Sequence, residues 1–359
     1  MKEVTPHMVV VLGIDVHKDT HTTVAVDEVG RQIGQRTVRA IDPGHEQLVR
    51  WARQEYRGER VWAVEDCRHV STRLERALLA AGERVVRVPP KLMAGARHSA
   101  RTRGKSDPID ALAIARAALR EPDLAAAEHD QVSRDLKLLV DHREDLVAER
   151  TRNQNRVRWH LHELDPELDI PARSLGRLVV LDRLQNWLAE QPSSILVRLA
   201  IELLADVRAA TVRINAAERE LSELTAQVAA PLLELAGVGP LTAAKIVGET
   251  ANVTRFRSEA CFAMHAGVAP VPASSGRTHR HRLARGGNRQ LNAALHRIAV
   301  TQTRLPGSLG HAYYQRRRNQ GNTKMEALRA MKRRLARVVF NHLHTNTITA
   351  SGAASPVAA

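Results

Sequence analysis

Over roughly the first ninety residues, apolar positions come in short runs and alternations with the period of strands, interrupted by helical spacing. Val9 to Ile14 of VVVLGIDVHKDT is a continuous apolar run closing on Asp15, which reads as a buried strand with a carboxylate near its end. HTTVAV, His21 to Val26, gives a second strand, and the turn DEVG leads into a third around Gln32 to Arg39. RVWAVE closes a further strand on Glu65, a helix follows over Ser71 to Ala81, and ERVVRV, Glu83 to Val88, adds one more strand. KSDPIDALAIARAALR is then an amphipathic helix with Pro108 at its start. The order strand, strand, strand, helix, strand, helix, strand, helix predicts a mixed sheet with Asp15 and Glu65 on adjacent central strands.

After Glu121-Pro122 the strand signals stop. Leu136, Leu139, Val140, Leu146, Val147, Val157 and Leu161 recur at helical spacing between about Gln131 and Leu164, and a proline-free stretch from Ser193 to Val228 repeats the pattern. Two long helices are expected, an antiparallel pair or coiled coil, with dimerisation favoured over an intramolecular bundle. Arg143, Arg150, Arg152, Arg156 and Arg158 on the first helix fit a solvated face or a nucleic-acid contact. From Pro231, LLELAGVGPLTAAKIVGET places Gly237-Val238-Gly239-Pro240 between two short helices. That pattern fits a helix-hairpin-helix holding a phosphate through Gly237, Gly239 and Lys245, and equally an ordinary helical turn. The last expected helix spans Lys324 to Leu343, and the small polar tail from Thr345 reads as disordered. The expected boundaries are therefore 8–125 for an α/β domain, 126–229 for the helical coiled-coil region, 230–344 for a mainly α C-terminal domain, and 345–359 for the tail.

The chemistry concentrates in two places. Asp107 and Asp110, three apart at a helix start, share one face, and with Asp15 and Glu65 they supply four carboxylates from several rigid elements. That is what a hard cation such as Mg²⁺ (or Mn²⁺) demands, and two such ions can clamp the attacking and leaving oxygens of a phosphate. Asp107 and Asp110 also fit plain helix capping, and Asp66 competes with Glu65. The second place is FAMHAGVAPVPASSGRTHRHRLARGGNRQL. Pro270 and Pro272 bound a loop with Ser274-Ser275-Gly276 at its tip, followed by Arg277, Arg280, Arg282 and Arg285. A serine needs an activating base or positive centre to act as a nucleophile, and arginines stabilise a phosphate under attack. Ser-Ser-Gly is otherwise a turn, and His279 with His281 reads as part of a basic stretch rather than a metal site.

Composition narrows the partner. The chain has 359 residues, with 54 Lys and Arg against 39 Asp and Glu, a net charge of +15. A polyanion is the matching partner. Aromatics make up only 3%, which disfavours a base-stacking surface and favours backbone contacts. Cys67 and Cys261 follow no metal-ligand or disulfide spacing. With neither a leader at Met1 to Met8 nor an apolar stretch of about 18 residues, a cytoplasmic, membrane-free protein is expected.

Taken together, GIDVHKDTH, Glu65 after a strand, KSDPIDA, LAGVGPLTAAKI, FAMHAGVAPVPASSG and RGGNRQL resemble the DEDD transposases of the insertion-sequence one-ten family, related to Piv-type DNA invertases. The likeness covers nearly the whole chain. It implies an RNase H-like (RuvC-like) N-terminal domain whose tetrad matches Asp15, Glu65, Asp107 and Asp110, then a coiled coil and a C-terminal transposase domain. It also implies a serine nucleophile at Ser275, with Ser274 the fallback, joining covalently to DNA while the metal-bound acids assist within a dimer or tetramer. Strand exchange through a junction and an element-encoded guide RNA complete what the resemblance implies. Ala284-Arg285-Gly286-Gly287-Asn288 departs from a Ser-Lys-Arg-Gly-Asn-like run in relatives, which bears on the phosphate contacts of Arg285 and Asn288 and leaves the tetrad untouched.

Overall fold

The computed structural model describes residues 9–65, 68–89, 92–93, 106–121, 124, 126–128, 130–276, 281–282, 284 and 286–353, with side chains except those of 68–69 and 346–353. Asp66, Cys67, Arg277, His279, Arg280 and Arg285 lie outside the described residues. The chain divides into two compact units, one of residues 1–130, 252–292 and 322–344, the other of 131–251, 293–321 and 345–359.

The first unit is built on a five-stranded sheet, β1 (Val10–Val16), β2 (Thr20–Val26), β3 (Gln32–Arg39), β4 (Arg60–Glu65) and β5 (Arg84–Val88), in the order β3-β2-β1-β4-β5. The β1-β2-β3 meander is antiparallel, whereas β4 and β5 run parallel to β1 after crossovers through α1 (Asp42–Glu55) and α2 (Arg68–Ala80). Every residue of β1 is buried because helices cover both faces. On one face Leu12, Ile14 and Val16 join Leu48, Trp62, Leu74 and Leu78; on the other Val11, Val24, Ala63 and Val86 meet α3 (Asp107–Arg120) through Ala111, Ile114 and Ala115. The expected mixed sheet, with Asp15 and Glu65 on neighbouring central strands, is observed.

The same unit contains α9 (Glu259–His265), a hairpin of β6 (Val271–Pro272) and β7 (His281–Arg282), and the greater part of α12 (Lys324–Ala353). Phe262 lies between Phe256 and Phe340 with ring centroids 5.4 and 5.7 Å away, and Glu259 pairs with Arg333 and Arg337. Asn252 Nδ2 donates to Glu128 at 2.6 Å and Arg255 to the carbonyl of Ala126 at 3.2 Å, which ties this segment to the end of the α/β part.

The second unit is helical. Its frame is α4 (Gln131–Leu164) and α6 (Ile195–Val228), which run antiparallel, with Arg143 on Glu218 and Arg150 on Thr211 marking the register. The short α5 (Leu178–Ala189) was not expected from sequence; its Leu181, Leu184 and Leu188 close a core with Val157, Leu161, Val197, Ala200 and Leu204. The apolar stripes of the long helices are thus used at this end within the chain. After the one-turn α7 (Ala230–Leu233), α8 (Pro240–Thr250) is buried throughout from Thr242, followed later by α10 (Arg289–Thr303) and α11 (Leu309–Asn319).

Two expectations change. Lys245, expected to face a phosphate, is 4% exposed and ion-paired with Glu144. Burial of α8 forces its ammonium to take a carboxylate inside the unit, because an unpaired buried charge is too costly. The last helix, expected to stop near Leu343, runs to Ala353, since extending an existing helix carries no nucleation cost; residues 354–359 lie outside the described residues.

Candidate active site

Three elements, β1, β4 and α3, set the acidic end of the sheet. In the β1–β4 register Ile14 stands opposite Val64, so Asp15 and Glu65 are the next neighbours and project, like Gly13 and Ala63, toward α3. The helix approaches β1 so closely that a Cβ on Gly13 would lie 2.2 Å from the carbonyl oxygen of Ala111 and 2.4 Å from the nitrogen of Ala115. Only a residue without a side chain permits that crossing, and the crossing carries the first turn of α3, with Asp107 and Asp110, to the end of β1. Asp107 and Asp110 stand there as first-turn acids, although neither caps the helix: the N-cap is Ser106, without a side-chain bond.

His17, which nothing in its local sequence marks, joins the acids. Residues 15 and 17 share a side of an extended chain, and the turn bond from His17 N to Thr20 O, 3.0 Å, holds the backbone where β1 ends. Its Nε2 lies 3.1 Å from Asp15 Oδ2 and 3.5 Å from Asp107 Oδ1. Asp15, His17 and Asp107 each place one ligand atom within 4.8 Å of the others, and among the described residues they are the group so placed. Burial lifts the pKa of Asp15 above its ordinary value; the charge and hydrogen bond of His17 oppose that, and the charges of Asp110 and Asp107 add to it. A buried carboxylate facing two more acids calls for positive charge, and two oxygens with one nitrogen converging at a half-open mouth fit a divalent ion.

The serine segment belongs to the same unit. Val271 pairs with Arg282 and Pro272 with His281; Ser274 and Ser275 follow β6 and are exposed, and Gly276 has φ 54°. Arg282 is exposed on β7. Asn288 is used structurally: its Oδ1 accepts from Leu291 N at 2.9 Å, capping α10, and its own N donates to the carbonyl of His265. The two glycine motifs meet here, because a Cβ on Gly287 would fall 2.2 Å from Gly267 N. Asn292 Nδ2 then donates to the carbonyls of Ala266 and Gly267, and Lys332 donates to Asn292 Oδ1 at 2.6 Å. In the helical unit Gly237 has φ 85° at the turn and Gly239 is the N-cap of α8 with open space around it; Pro240 brings no N–H to that helix start, and the N–H groups of Thr242 and Ala243 both donate to the Gly239 carbonyl at 2.9 Å.

Comparison with known proteins places these features in a class. Residues 12–166 match the transposase family model DEDD_Tnp_IS110, and residues 229–315 match the model for transposases of the IS116/IS110/IS902 family. The 44.8 kDa protein of insertion element IS116 from Streptomyces clavuligerus is 28% identical, over 94% of this chain and 95% of its own length. The 43.6 kDa protein of IS110 from Streptomyces coelicolor is 30% identical over 68% and 71%, and the 42 kDa protein of IS900 from Mycobacterium paratuberculosis 26% over 94% and 96%. The structure of T. thermophilus RuvC in complex with a Holliday junction substrate is 16% identical, covers 33% of this chain and 99% of its own, and has a TM-score of 0.26. The protein is a transposase, an enzyme acting on DNA. The chain belongs to the IS116/IS110/IS902 family.

Proposed function

We propose that this transposase cuts and rejoins DNA strands with a divalent ion held by Asp15, Glu65, Asp107 and Asp110 and with Ser275 as nucleophile. The observation that carries the reading is the convergence of carboxylates from β1 and α3, beside the end of β4, at one end of a sheet face. Asp15 and Asp107 would bind the ion directly, with Glu65 and Asp110 completing the acidic wall. When bound, the ion supplies Lewis-acid polarisation of the phosphate and neutralises charge that develops there.

The remaining work falls to the chain. Ser275 Oγ attacks the phosphorus of a phosphodiester and loses its proton; a serine–phosphate bond forms, the bond to one deoxyribose oxygen breaks, and that oxygen leaves as a hydroxyl carrying a proton. Reversal of the same step by another strand's hydroxyl rejoins DNA, through a junction between the partners. Arg282, together with Arg277, Arg280 and Arg285 of the same basic segment, holds the phosphate, and the α8 start at Gly237 and Gly239 grips backbone. An element-encoded guide RNA, a dimer or tetramer that unites acidic site and serine, and a cytoplasmic, nucleoid-associated location belong to the same proposal, supported by the resemblance and by the basic charge.

Covalent trapping tests it. Protein purified from cells carrying the whole element, given Mg²⁺ with donor and target DNA, should yield a DNA adduct that maps to Ser275 and vanishes in Asp15→Ala and Ser275→Ala, with DNA binding retained. One alternative rests on the acids meeting without the serine's help: hydrolysis by water at the acids alone. Cleaved DNA without an adduct, and normal cleavage by Ser275→Ala, would establish that alternative.

A further inference from the structure

We infer that His17 is a nitrogen ligand of the ion held by Asp15 and Asp107, and that this ligand makes the site favour Mn²⁺ over Mg²⁺. The inference rests on the metal-site reading above and adds a donor that the acidic tetrad lacks.

Three observations carry it. The same ring atom, Nε2, is the one directed at both carboxylates, 3.1 Å from Asp15 Oδ2 and 3.5 Å from Asp107 Oδ1. An octahedral ion with donors at roughly 2.1 Å separates neighbouring donors by about 3 Å, so small shifts suffice for all three atoms to share one ion. His17 directly follows β1, and its backbone bond to Thr20 O closes the tight turn into β2, so the ring is presented from a hydrogen-bonded turn. Finally, His17 and Asp107 are each about half exposed, at 53% and 50%, while Asp15 is 7% exposed, which leaves the open side of the cluster for water and for a substrate oxygen.

The donor set then decides between ions. Carboxylate and water sites suit Mg²⁺, which sheds its waters reluctantly; an imidazole in the set shifts preference toward ions further along the first-row series, beginning with Mn²⁺. A second role competes with this one: the ring could serve only as a counter-ion, bridging Asp15 and Asp107 until metal displaces it.

The experiment is Mn²⁺ binding to the full-length protein without DNA, followed by electron paramagnetic resonance at neutral pH, for wild type, His17→Ala, His17→Gln and Asp15→Asn, with Mg²⁺ as competitor and circular dichroism confirming the fold. We expect a nitrogen hyperfine coupling in the wild type that is absent in both His17 variants. Mn²⁺ affinity should fall about tenfold or more in those variants, with Mg²⁺ affinity changed little. Mn²⁺ bound in an Asp15-dependent way without nitrogen coupling would overturn the role of His17 and leave the metal site standing. Absence of any Mn²⁺ binding that Asp15→Asn removes would overturn both. Should the alanine variant unfold, the glutamine variant, which keeps volume and polarity but offers no imidazole, reads the same coupling.

Discussion

His21 and His45 show how one pair of residues ties stability to pH. The rings stack with centroids 5.2 Å apart and 18° between planes, on the sheet face away from the acidic site, and both residues are almost wholly buried. Among the described residues, His21 Nδ1 and His45 Nε2 have no hydrogen-bond partner. Burial, reinforced by the neighbouring His45, pushes the pKa of His21 down to about 4. Burial lowers His45 too; Asp42 opposes and Arg73 adds to that shift. The folded state therefore holds His21 neutral, whereas the unfolded chain takes up a proton below its ordinary value of 6.5. This contribution is fully present above about 6.5 and is lost as pH falls toward about 4, an amount on the order of 3 kcal/mol. Urea midpoints measured across that window should fall steeply for the wild type and less so for His21→Phe. Parallel slopes in the two proteins would exclude the histidine stack as the cause.

At the scale of elements, the site depends on the crossing of α3 over β1. Gly13→Ala would push a methyl into the backbone of Ala111 and Ala115, so the helix must shift, and Asp107 and Asp110 shift with it away from Asp15. Overpacking of this kind costs roughly 1–3 kcal/mol or more. The expected result is a lowered thermal midpoint together with recombination reduced at least about tenfold, since about 1.4 kcal/mol at the transition state is already a factor of ten. Full recombination in Gly13→Ala would show that α3 is free to reposition. This dependence also explains what could be read from sequence. The strands and the long α4 and α6 declare themselves through unbroken periods, and the carboxylates through their places at strand and helix ends. α5 is only twelve residues long, and its LVVL run fits strand and helix equally. His17 escaped notice because a histidine two residues from an aspartate has no meaning until a helix 90 residues later brings Asp107 beside it. Lys245 misled for a related reason: composition does not say that Glu144, a century of residues upstream, will claim its charge.

For the molecule as a whole, charge and aromatic content make a joint statement about how DNA is held. A net charge of +15 with 3% aromatics leaves phosphate contact as the main source of affinity and gives base stacking little part. Exposed arginines such as Arg282, Arg289, Arg297, Arg304 and Arg316 occur in each of the two compact units. Each neutralised phosphate releases counterions, and the logarithm of affinity should fall with the logarithm of salt at about 0.9 per contact. With roughly 6–10 contacts, affinity should drop about 10³–10⁵-fold between about 50 and 200 mM salt, nearly alike for unrelated duplexes. Arg282→Ala should then weaken binding to every duplex to the same degree and reduce the salt slope by about one, because a phosphate contact carries no sequence information. Filter binding or fluorescence anisotropy over a salt series measures both quantities. A loss confined to one sequence with an unchanged slope would instead make Arg282 a reader of bases. A slope below about two in the wild type would remove the electrostatic account altogether, and the excess of basic residues would then need a different polyanion.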